Sequence, residues 1–274
     1  MNTDILTIDL TKVQFEKIRK MLYNLCGINL TKGKEQLVKA RLSKRLRAMQ
    51  LINFDQYFEY LEKDRSGQEL TCMIDALATN KTDFFRENKH FEFLRRNILP
   101  VISNKPMRFW SAGCSSGEEP YTLSLVLREE IPNIDQRDVR ILATDISTKT
   151  LKIAQKAIYS HEVLEDVPGQ LISKYFTCVQ RESPRLYRVN DNIRSLVSFA
   201  RLNLMETWPM KGPFDVIFCR NVMIYFDTVT REKLIQRFRK LLGPGGFLFV
   251  GHSESLAALS HDLKYVQPAV YLKQ

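Results

Sequence analysis

Residues 107–120 read MRFWSAGCSSGEEP. The apolar run Arg108–Ser111 has the character of a buried strand, a loop with two glycines follows, and Pro120 suits the first turn of a helix. A strand, a glycine loop and a helix in this order are typical of the first unit of a doubly wound α/β sheet. Such sheets bind nucleotide-like ligands at the carboxyl ends of their strands. The stretch therefore predicts both the fold class and the edge of the sheet where a ligand binds.

The chain downstream continues to alternate short apolar runs with amphipathic helices, as parallel sheets covered by helices do. Further strands are predicted at Arg140–Thr144, Val197–Arg201, Val216–Cys219, Phe247–Gly251 and Tyr265–Leu272, and helices at Pro120–Glu130, Thr148–Ala157 and Thr228–Leu242. Between residues 159 and 193, turn dipeptides and the strand-like pieces Lys174–Val179 and Leu186–Val189 interrupt the alternation. We expect a Rossmann-like domain over residues 89–274, with a small antiparallel β subdomain inserted at about 159–193.

The first hundred residues have helical periodicity, which predicts a small helical domain over residues 1–88. One helix should end at Gly27, where a residue free to take positive φ is favoured. Asn53 with Gln56, and Ser66 with Glu69, have the spacing of helix N-caps. A further helix is expected from Lys89 to Ile98, ended by Pro100.

Positive charge is concentrated in the predicted helical domain. Residues 11–50 hold eleven lysines and arginines against two glutamates, so this segment carries +9 of the net +10 of the chain. A field confined to one segment favours an acidic macromolecular partner, although a solvated helix face would also explain it. The basic helices lack the interleaved aromatic residues that stack on bases, so a nucleic acid is not the expected partner. The predicted partner-binding residues are Lys34, Arg41, Lys44 and Arg45.

Several classes of protein are disfavoured. No apolar run approaches the roughly 18 residues of a membrane span, and Met1–Leu10 carries Asp4 and Asp9 where a signal peptide carries basic residues. We therefore expect a cytoplasmic protein that does not insert into membranes. The five cysteines are scattered, which predicts reduced thiols, and the spacing of the four histidines predicts no metal site.

The polar residues at the predicted strand ends indicate the kind of ligand. Glu118 and Glu119 open the first helix, and carboxylates there would repel a pyrophosphate but suit a cationic group, such as the amino group of S-adenosyl-L-methionine. The helix dipole would favour these acids in any case. Asp145 follows the second strand, where it could accept both ribose hydroxyls or only cap the next helix. The polar residues after Cys219 face the same crevice.

Four motifs together resemble a known family, the CheR-type glutamate O-methyltransferases of bacterial chemotaxis. They are TNKTDFFR at 79–86, WSAGCSSGEEPY at 110–121, FCRNVMIYF at 218–226 and GHSE at 251–254. The resemblance runs from about Phe15 to Tyr271. It implies methylation of glutamate side chains in the cytoplasmic helical region of chemoreceptors, the methyl-accepting chemotaxis proteins. We expect the enzyme to be a monomer.

The resemblance also implies roles for individual residues. The S-adenosyl-L-methionine, which becomes S-adenosyl-L-homocysteine, would be contacted by Asn80, Thr82, Arg86, Glu119, Asp145, Asn203, Leu204, Arg220 and Asn221. Arg86, which could instead be a structural ion-pair partner, and Tyr225 would flank the reacting centre, and the basic second helix would dock on the receptor. One departure concerns the β subdomain: relatives that tether to a receptor's C-terminal peptide tend to have a glycine in a loop there, and residues 178–187 have none.

The expected reaction fits the residues available. A glutamate side chain has an ordinary pKa near 4.3, so it is ionised at neutral pH and needs no general base before it attacks a methyl group. Two other functions stay open at this point. The chain could methylate another acidic macromolecule or RNA, or it could be a non-catalytic module that senses S-adenosylmethionine.

Overall fold

The computed structural model describes residues 8–78, 80–102 and 105–274. Thr79 of the first motif and Asp4 of the N-terminal segment lie outside the described residues. The chain divides into two compact units, one of residues up to 79 with Tyr225–Asp227, and one of residues 80–224 with 228–274. Residues 80–88 group with the second unit, and the boundary drawn at 88/89 stays a prediction.

The first unit is helical. Its helices are α1 (Lys12–Cys26), α2 (Glu35–Ala48), α3 (Phe54–Lys63) and α4 (Gln68–Leu77). The predicted end of α1 is confirmed, because Gly27 takes φ 74° and donates its N–H to the Tyr23 carbonyl. The predicted cap of α3 is confirmed as well, since the Asn53 side chain accepts a bond from the Gln56 N–H. Each helix buries one apolar face, which contributes Phe15, Ile18, Leu22, Val38, Leu42, Leu46, Phe54, Leu61, Met73 and Leu77 to the core.

The predicted N-cap at Ser66 is wrong. Gly67, at φ 66°, occupies the cap position of α4, and the Asp64 carboxylate accepts the bond from the Glu69 N–H instead. The Glu69 side chain does not reach back to the cap. It is buried and accepts bonds from Arg45 and Tyr57, and this internal network outweighs the local capping geometry that the spacing predicted.

The predicted helix end at Pro100 is also wrong. Helix α5 (Lys89–Phe93) passes through a π-helical turn (Leu94–Ile98) into α6 (Leu99–Ile102). A π-turn changes which amide each carbonyl accepts from, so a proline directly after it, having no N–H to donate, is tolerated. The helix therefore continues two residues beyond Pro100.

The second unit is built on one mixed sheet. Its strands are β1 (Met107–Ala112), β2 (Val139–Asp145), β6 (Val197–Arg201), β7 (Phe214–Cys219), β8 (Leu242–Val250), β9 (Lys264–Gln267) and β10 (Val270–Leu272), in the order β6-β2-β1-β7-β8-β10-β9. The five strands from β6 to β8 are parallel. The main helices around the sheet are α7 (Glu118–Glu130), α8 (Thr148–Lys156) and α11 (Thr228–Leu241). This is the doubly wound arrangement that the sequence predicts.

The single strand predicted at Tyr265–Leu272 is wrong. Strands β9 and β10 form an antiparallel hairpin, with β10 antiparallel to β8. Pro268 lacks the N–H that a continuous strand would use, and Ala269 takes φ 63°, so the chain turns between them. Apolar periodicity did not reveal this break.

The insertion is a second, three-stranded sheet. Strands β3 (Ile158–Ser160), β4 (Phe176–Gln180) and β5 (Leu186–Val189) pair antiparallel in the order β3-β5-β4, as predicted. Strand β4 begins at Phe176 because Lys174 and Tyr175 end the helix α9 (Gly169–Tyr175). The remaining short helices are α10 (Asp191–Arg194) and 3₁₀ turns at Ile134–Gln136, His161–Leu164 and Met223–Tyr225.

The strand order reverses between β1 and β7, and this reversal positions the ligand site. In doubly wound sheets the crevice lies outside the carboxyl ends of the strands at such a point. The main core of the unit, which includes Phe91, Phe109, Phe218 and Phe249, packs around these central strands. Among the described residues, none of the helices is long and apolar enough to cross a membrane.

Candidate functional site at the carboxyl edge of the sheet

The loop after β1 is held open by unusual backbone conformations. Gly113, Ser115 and Gly117 take φ of 89°, 49° and 99°. The N–H groups of Gly113 and Cys114 both donate to the Thr144 carbonyl, at 2.7 and 2.9 Å. These bonds fasten the loop to the end of β2, so that its backbone faces the crevice.

Asp145, at the end of β2, organises the loop as well as facing the crevice edge. Its two oxygens accept bonds from the N–H groups of Ser115 (2.7 Å) and Ser147 (2.8 Å). The Ser147 side chain, and not Asp145, caps α8. Both oxygens of the Asp145 carboxylate therefore help to hold the loop after β1 and the start of α8 in place.

Arg220, directly after β7, lies between two carboxylates. Its guanidinium pairs with Glu119 at 2.9 Å and with Glu87 at 3.0 Å, and it also donates to the Arg86 carbonyl oxygen. The Arg220 side chain is 2% exposed. Ser111 donates its hydroxyl to the second oxygen of Glu119 (2.7 Å). The side chains at the ends of β1 and β7 thus form one continuous network.

The charge of this network suits a cationic ligand. Burial raises the pKa of Glu87, but the Arg220 charge and the His252 N–H outweigh burial and hold the pKa below its usual range. Two carboxylates, those of Glu87 and Glu119, pair with one guanidinium, and a third, that of Asp145, holds the loop after β1. An excess of negative charge attracts an ammonium or sulfonium group and repels a pyrophosphate.

Burial raises the pKa of the Cys114 and Cys219 thiols, so neither offers a thiolate at neutral pH.

The loop that follows Arg220 is fixed by Glu254 of the fourth motif. One Glu254 oxygen accepts bonds from the N–H groups of Asn221 (2.7 Å) and Gly251 (2.6 Å), and the other accepts from Ile224 (3.0 Å). Burial raises the pKa of Glu254, and these backbone bonds counteract that rise in part. Asn221, at φ 58°, is held in the left-handed region by this arrangement.

The predicted residues of the first motif lie along the segment before α5. The Asn80 carbonyl accepts a bond from the Ser115 hydroxyl at 2.8 Å, which joins the segment to the glycine loop. Arg86 donates to the Lys81 carbonyl (2.8 Å), and its side chain lines a cavity of about 560 Å³ together with Arg95, Glu129 and Asp166. Thr82 is half-buried on the same segment.

The other predicted residues are placed as follows. Asn203 is buried, accepts a bond from the Met205 N–H (3.0 Å) and donates to Glu206 (3.1 Å), while Leu204 is also buried. The Leu202 N–H donates to the Asp145 carbonyl, which ties this loop to the end of β2. Tyr225 groups with the helical unit, where its carbonyl accepts a bond from the Asn29 N–H (2.8 Å).

The basic residues predicted to bind a partner fall into two groups. Lys34 and Lys44 are exposed, and so is Arg47. Arg41 donates to the Leu77 and Ala78 carbonyls (2.8 and 3.1 Å), and Arg45 pairs with the buried Glu69. The structure therefore uses Arg41 and Arg45 to hold α2 to α4, which helical spacing alone did not reveal.

Three members of the network were not among the predicted site residues: Ser111, Glu87 and Glu254. Glu87 and Arg220 are separated by 133 residues, so no local pattern joins them. The available signal was the position of Glu87 and Glu254 inside or next to the quoted motifs. Buried carboxylates that accept backbone N–H bonds are hard to distinguish from surface acids by sequence alone.

Both units match models of one family. Residues 14–78 match the all-alpha domain of CheR methyltransferase, and residues 80–272 match the S-adenosylmethionine-binding domain of CheR methyltransferase. A chemotaxis protein methyltransferase of Borreliella burgdorferi is 41% identical over 98% of this chain and 96% of its own. A probable chemotaxis protein methyltransferase of Rhizobium etli is 43% identical over 86% of this chain and 90% of its own.

A third relative, chemotaxis protein methyltransferase 2 of Pseudomonas aeruginosa, is 41% identical over 95% of this chain and 93% of its own. The matches extend over both units, and the second unit has the carboxyl-edge site described above. The chain therefore belongs to the CheR methyltransferase family, and its cofactor is S-adenosylmethionine.

Proposed function

We propose that the chain transfers the methyl group of S-adenosylmethionine to glutamate side chains of chemoreceptors, forming glutamate methyl esters. The observation that carries the proposal is the Glu119–Arg220 pair together with Asp145 at the carboxyl edge of a CheR-family methyltransferase domain. The relatives are named chemotaxis protein methyltransferases, which supports receptors as the acceptors.

The chemistry of the site supports a carboxylate acceptor. Transfer from a sulfonium to a carboxylate joins opposite charges and needs no proton removal, so positioning supplies most of the rate gain. The nearby His90 would be a poor general base, because burial lowers its pKa to about 3. A reaction that required deprotonation of an alcohol or an amine would have little help from that imidazole.

Each predicted residue has a proposed role. Asp145 binds the ribose hydroxyls while it holds the glycine loop, and Glu119, positioned by Arg220, binds the amino group of the methionine moiety. Arg86 orients the incoming carboxylate, and Tyr225 shapes the path of the methyl group. The remaining cofactor contacts are assigned to Asn80, Thr82, Asn203, Leu204 and Asn221.

The proposed docking surface is the exposed part of α2, made of Lys34, Lys44 and Arg47. Their exposure and charge suit the acidic methylation helices of a receptor. Arg41 and Arg45 fix the position of this surface, because their bonds to α4 hold α2 against that helix. The proposal places the enzyme in the cytoplasm as a monomer, and sedimentation of the purified chain would check the oligomeric state.

The first test uses methyl-labelled S-adenosylmethionine with a receptor cytoplasmic fragment and, separately, with RNA. We expect label on the receptor alone, released as methanol by mild base, as methyl esters are. Arg86→Ala should lower kcat at least tenfold, whereas Arg95→Ala, at the same cavity but paired with Glu130, should not. Label on RNA, or label that resists base, would contradict carboxyl methylation.

A further inference from the structure

Glu87 and His90, which are three residues apart, come together with the distant His252 beside Arg220. Glu87 precedes α5, His90 lies on α5, and His252 follows β8. Their nearest ligand atoms all lie within 4.8 Å of one another. All three residues belong to the second unit. The histidine spacing along the chain gave no indication of this cluster.

His90 has an unexplained environment. It is 1% exposed, and neither of its ring nitrogens has a hydrogen-bond partner among the described residues. Its Nδ1 is 3.6 Å from a Glu87 oxygen, which is too long for a hydrogen bond, and its ring centroid is 4.8 Å from that of His252. Buried polar atoms are normally satisfied, so an imidazole left without a partner points to a ligand that completes the site.

The unpartnered ring and the access of the cluster both suit a metal ion. Neither ring nitrogen of His90 is occupied by a hydrogen-bond partner among the described residues, so one of them is available as a metal ligand. His252 is exposed and can admit an ion from solvent. Around one zinc ion, with ligand bonds of about 2.0–2.2 Å, the donor atoms lie roughly 3.4 Å apart. A side-chain rotation of the exposed His252 could bring the cluster to that spacing.

We propose that Glu87, His90 and His252 form a binding site for Zn²⁺. Two imidazoles and one carboxylate are a donor set that zinc uses when it keeps a fourth, open position. Calcium and magnesium prefer oxygen ligands alone, so the imidazoles exclude them. Copper, nickel and cobalt share the preference for imidazole and are expected to compete.

Zinc at this site opposes cofactor binding. Glu87 also pairs with Arg220, whose other partner is Glu119, the proposed ligand of the methionine amino group. A zinc ion draws the Glu87 carboxylate away from Arg220, and it adds two positive charges beside a site that accepts a cationic ligand. Both effects weaken S-adenosylmethionine binding, and by linkage the cofactor weakens zinc binding to the same extent. This part rests on the cofactor contacts proposed above, whereas the metal site itself does not.

The test uses full-length protein freed of any histidine tag and treated with chelator. Co²⁺ serves as the spectroscopic probe, and Zn²⁺ displaces it. We expect one Co²⁺ per chain with the absorption of a low-symmetry site. His252→Ala should weaken binding at least tenfold, while the matched exposed-histidine control His161→Ala should leave it unchanged. His90→Phe, which fills the same buried space, should abolish binding without lowering stability.

Absence of stoichiometric binding, or equal binding by His252→Ala and His161→Ala, would overturn the site. The coupling is measured by calorimetry of S-adenosylmethionine with and without zinc. We expect zinc to raise the cofactor Kd at least fivefold in the unsubstituted protein and to leave it unchanged in His252→Ala. If zinc binds but the cofactor Kd does not move, the inhibitory coupling is overturned and the metal site stands.

Discussion

At the scale of single residues, neighbouring acids in this site have different environments. Glu119 is paired with Arg220. Glu118, the preceding residue, is buried, and both oxygens of its carboxylate lie within hydrogen-bond distance of the Ser116 hydroxyl. Burial raises the pKa of Glu118 to about 7. A carboxyl that titrates near neutrality couples the stability of the protein to pH.

The direction of this pH dependence follows from the pKa of Glu118 in the unfolded and in the folded chain. The pKa of Glu118 is 4.5 in the ordinary case and about 7 in the folded chain, so between these values the folded protein holds the extra proton. The free energy of unfolding therefore falls as pH rises from about 4.5 to about 7, and the lost stability, about 3 kcal/mol at most, is not regained above that range.

Glu118→Gln removes this ionisation. We expect the variant to gain stability relative to the unsubstituted protein between pH 5 and pH 8, because an amide avoids the cost of a buried charge. Urea unfolding at the two pH values measures the change. Glu162→Gln, at an exposed position, serves as the control. If Glu118→Gln and the unsubstituted protein have parallel pH profiles, Glu118 does not carry the raised pKa.

At the scale of elements, the glycine loop depends on close packing between α7 and α8. Gly117 precedes α7 at φ 99°, and a Cβ placed on it would lie 2.8 Å from the Ala154 Cβ and 3.1 Å from the Ala154 Cα of α8. Gly33 has a similar φ of 92° but no atom within 4 Å of such a Cβ. Comparing alanine substitutions at the two positions therefore distinguishes the cost of the left-handed backbone from the cost of steric contact with α8.

Both alanine variants should lose about 1–2 kcal/mol from the left-handed backbone. Gly117→Ala should lose a further 1–3 kcal/mol, roughly, from overpacking against α8, and its S-adenosylmethionine affinity should fall because the loop shifts. Gly33→Ala should bind the cofactor normally. Thermal unfolding and calorimetry on both variants measure these effects, and equal losses would show that contact with α8 is unimportant.

The elements also show what the sequence could and could not predict. The parallel strands, α7, α8 and the inserted antiparallel sheet followed from periodicity and turn residues. Local signals were insufficient where a distant contact decided the outcome. Glu69 left its capping role because Arg45 and Tyr57 bind it. The hairpin at Pro268 is a different case, because the proline was a local signal that the apolar periodicity did not include.

The candidate site was predictable to a similar degree. Glu119, Asp145 and Arg220 were predicted at the carboxyl edge because strand ends in a doubly wound sheet meet there. The structure places Asp145 at the end of β2, Arg220 directly after β7 and Glu119 in the first turn of α7. Glu87 and Glu254 were missed because their contacts with Arg220 and Asn221 join segments 133 and 33 residues apart. The cluster around His90 was missed because His252 is distant in sequence from the other two members. Spacing rules describe ligands on one element and do not describe ligands that tertiary packing brings together.

At the scale of the whole molecule, charge and chemistry occupy different parts of the chain. Residues 11–50 carry +9 of the net +10, whereas Glu87, Glu119, Asp145 and Arg220 lie in the second unit, where acidic side chains outnumber the single guanidinium. Such a distribution suits an enzyme that recognises a large acidic acceptor and a small cationic cofactor through separate surfaces.

Replacing Lys44 and Arg47 with Glu should raise the receptor KM several-fold at low salt, because exposed charges steer association. The effect should shrink as salt rises, since screening shortens the range of these charges. The cofactor Kd should not change. Lys152→Glu with Lys156→Glu, on the exposed face of α8, is the matched control. Equal effects of the two pairs would remove α2 as the docking surface.

The most direct test of the whole account is to map the methylated residues on the acceptor. A receptor cytoplasmic fragment is incubated with this protein and S-adenosylmethionine, digested at mildly acidic pH and analysed by peptide mass spectrometry. The account predicts single methyl additions on glutamate side chains of the helical region, removed by mild base and absent without cofactor. Methyl groups on lysine, arginine or chain termini, or an unmodified receptor with a cofactor-bound enzyme, would contradict it.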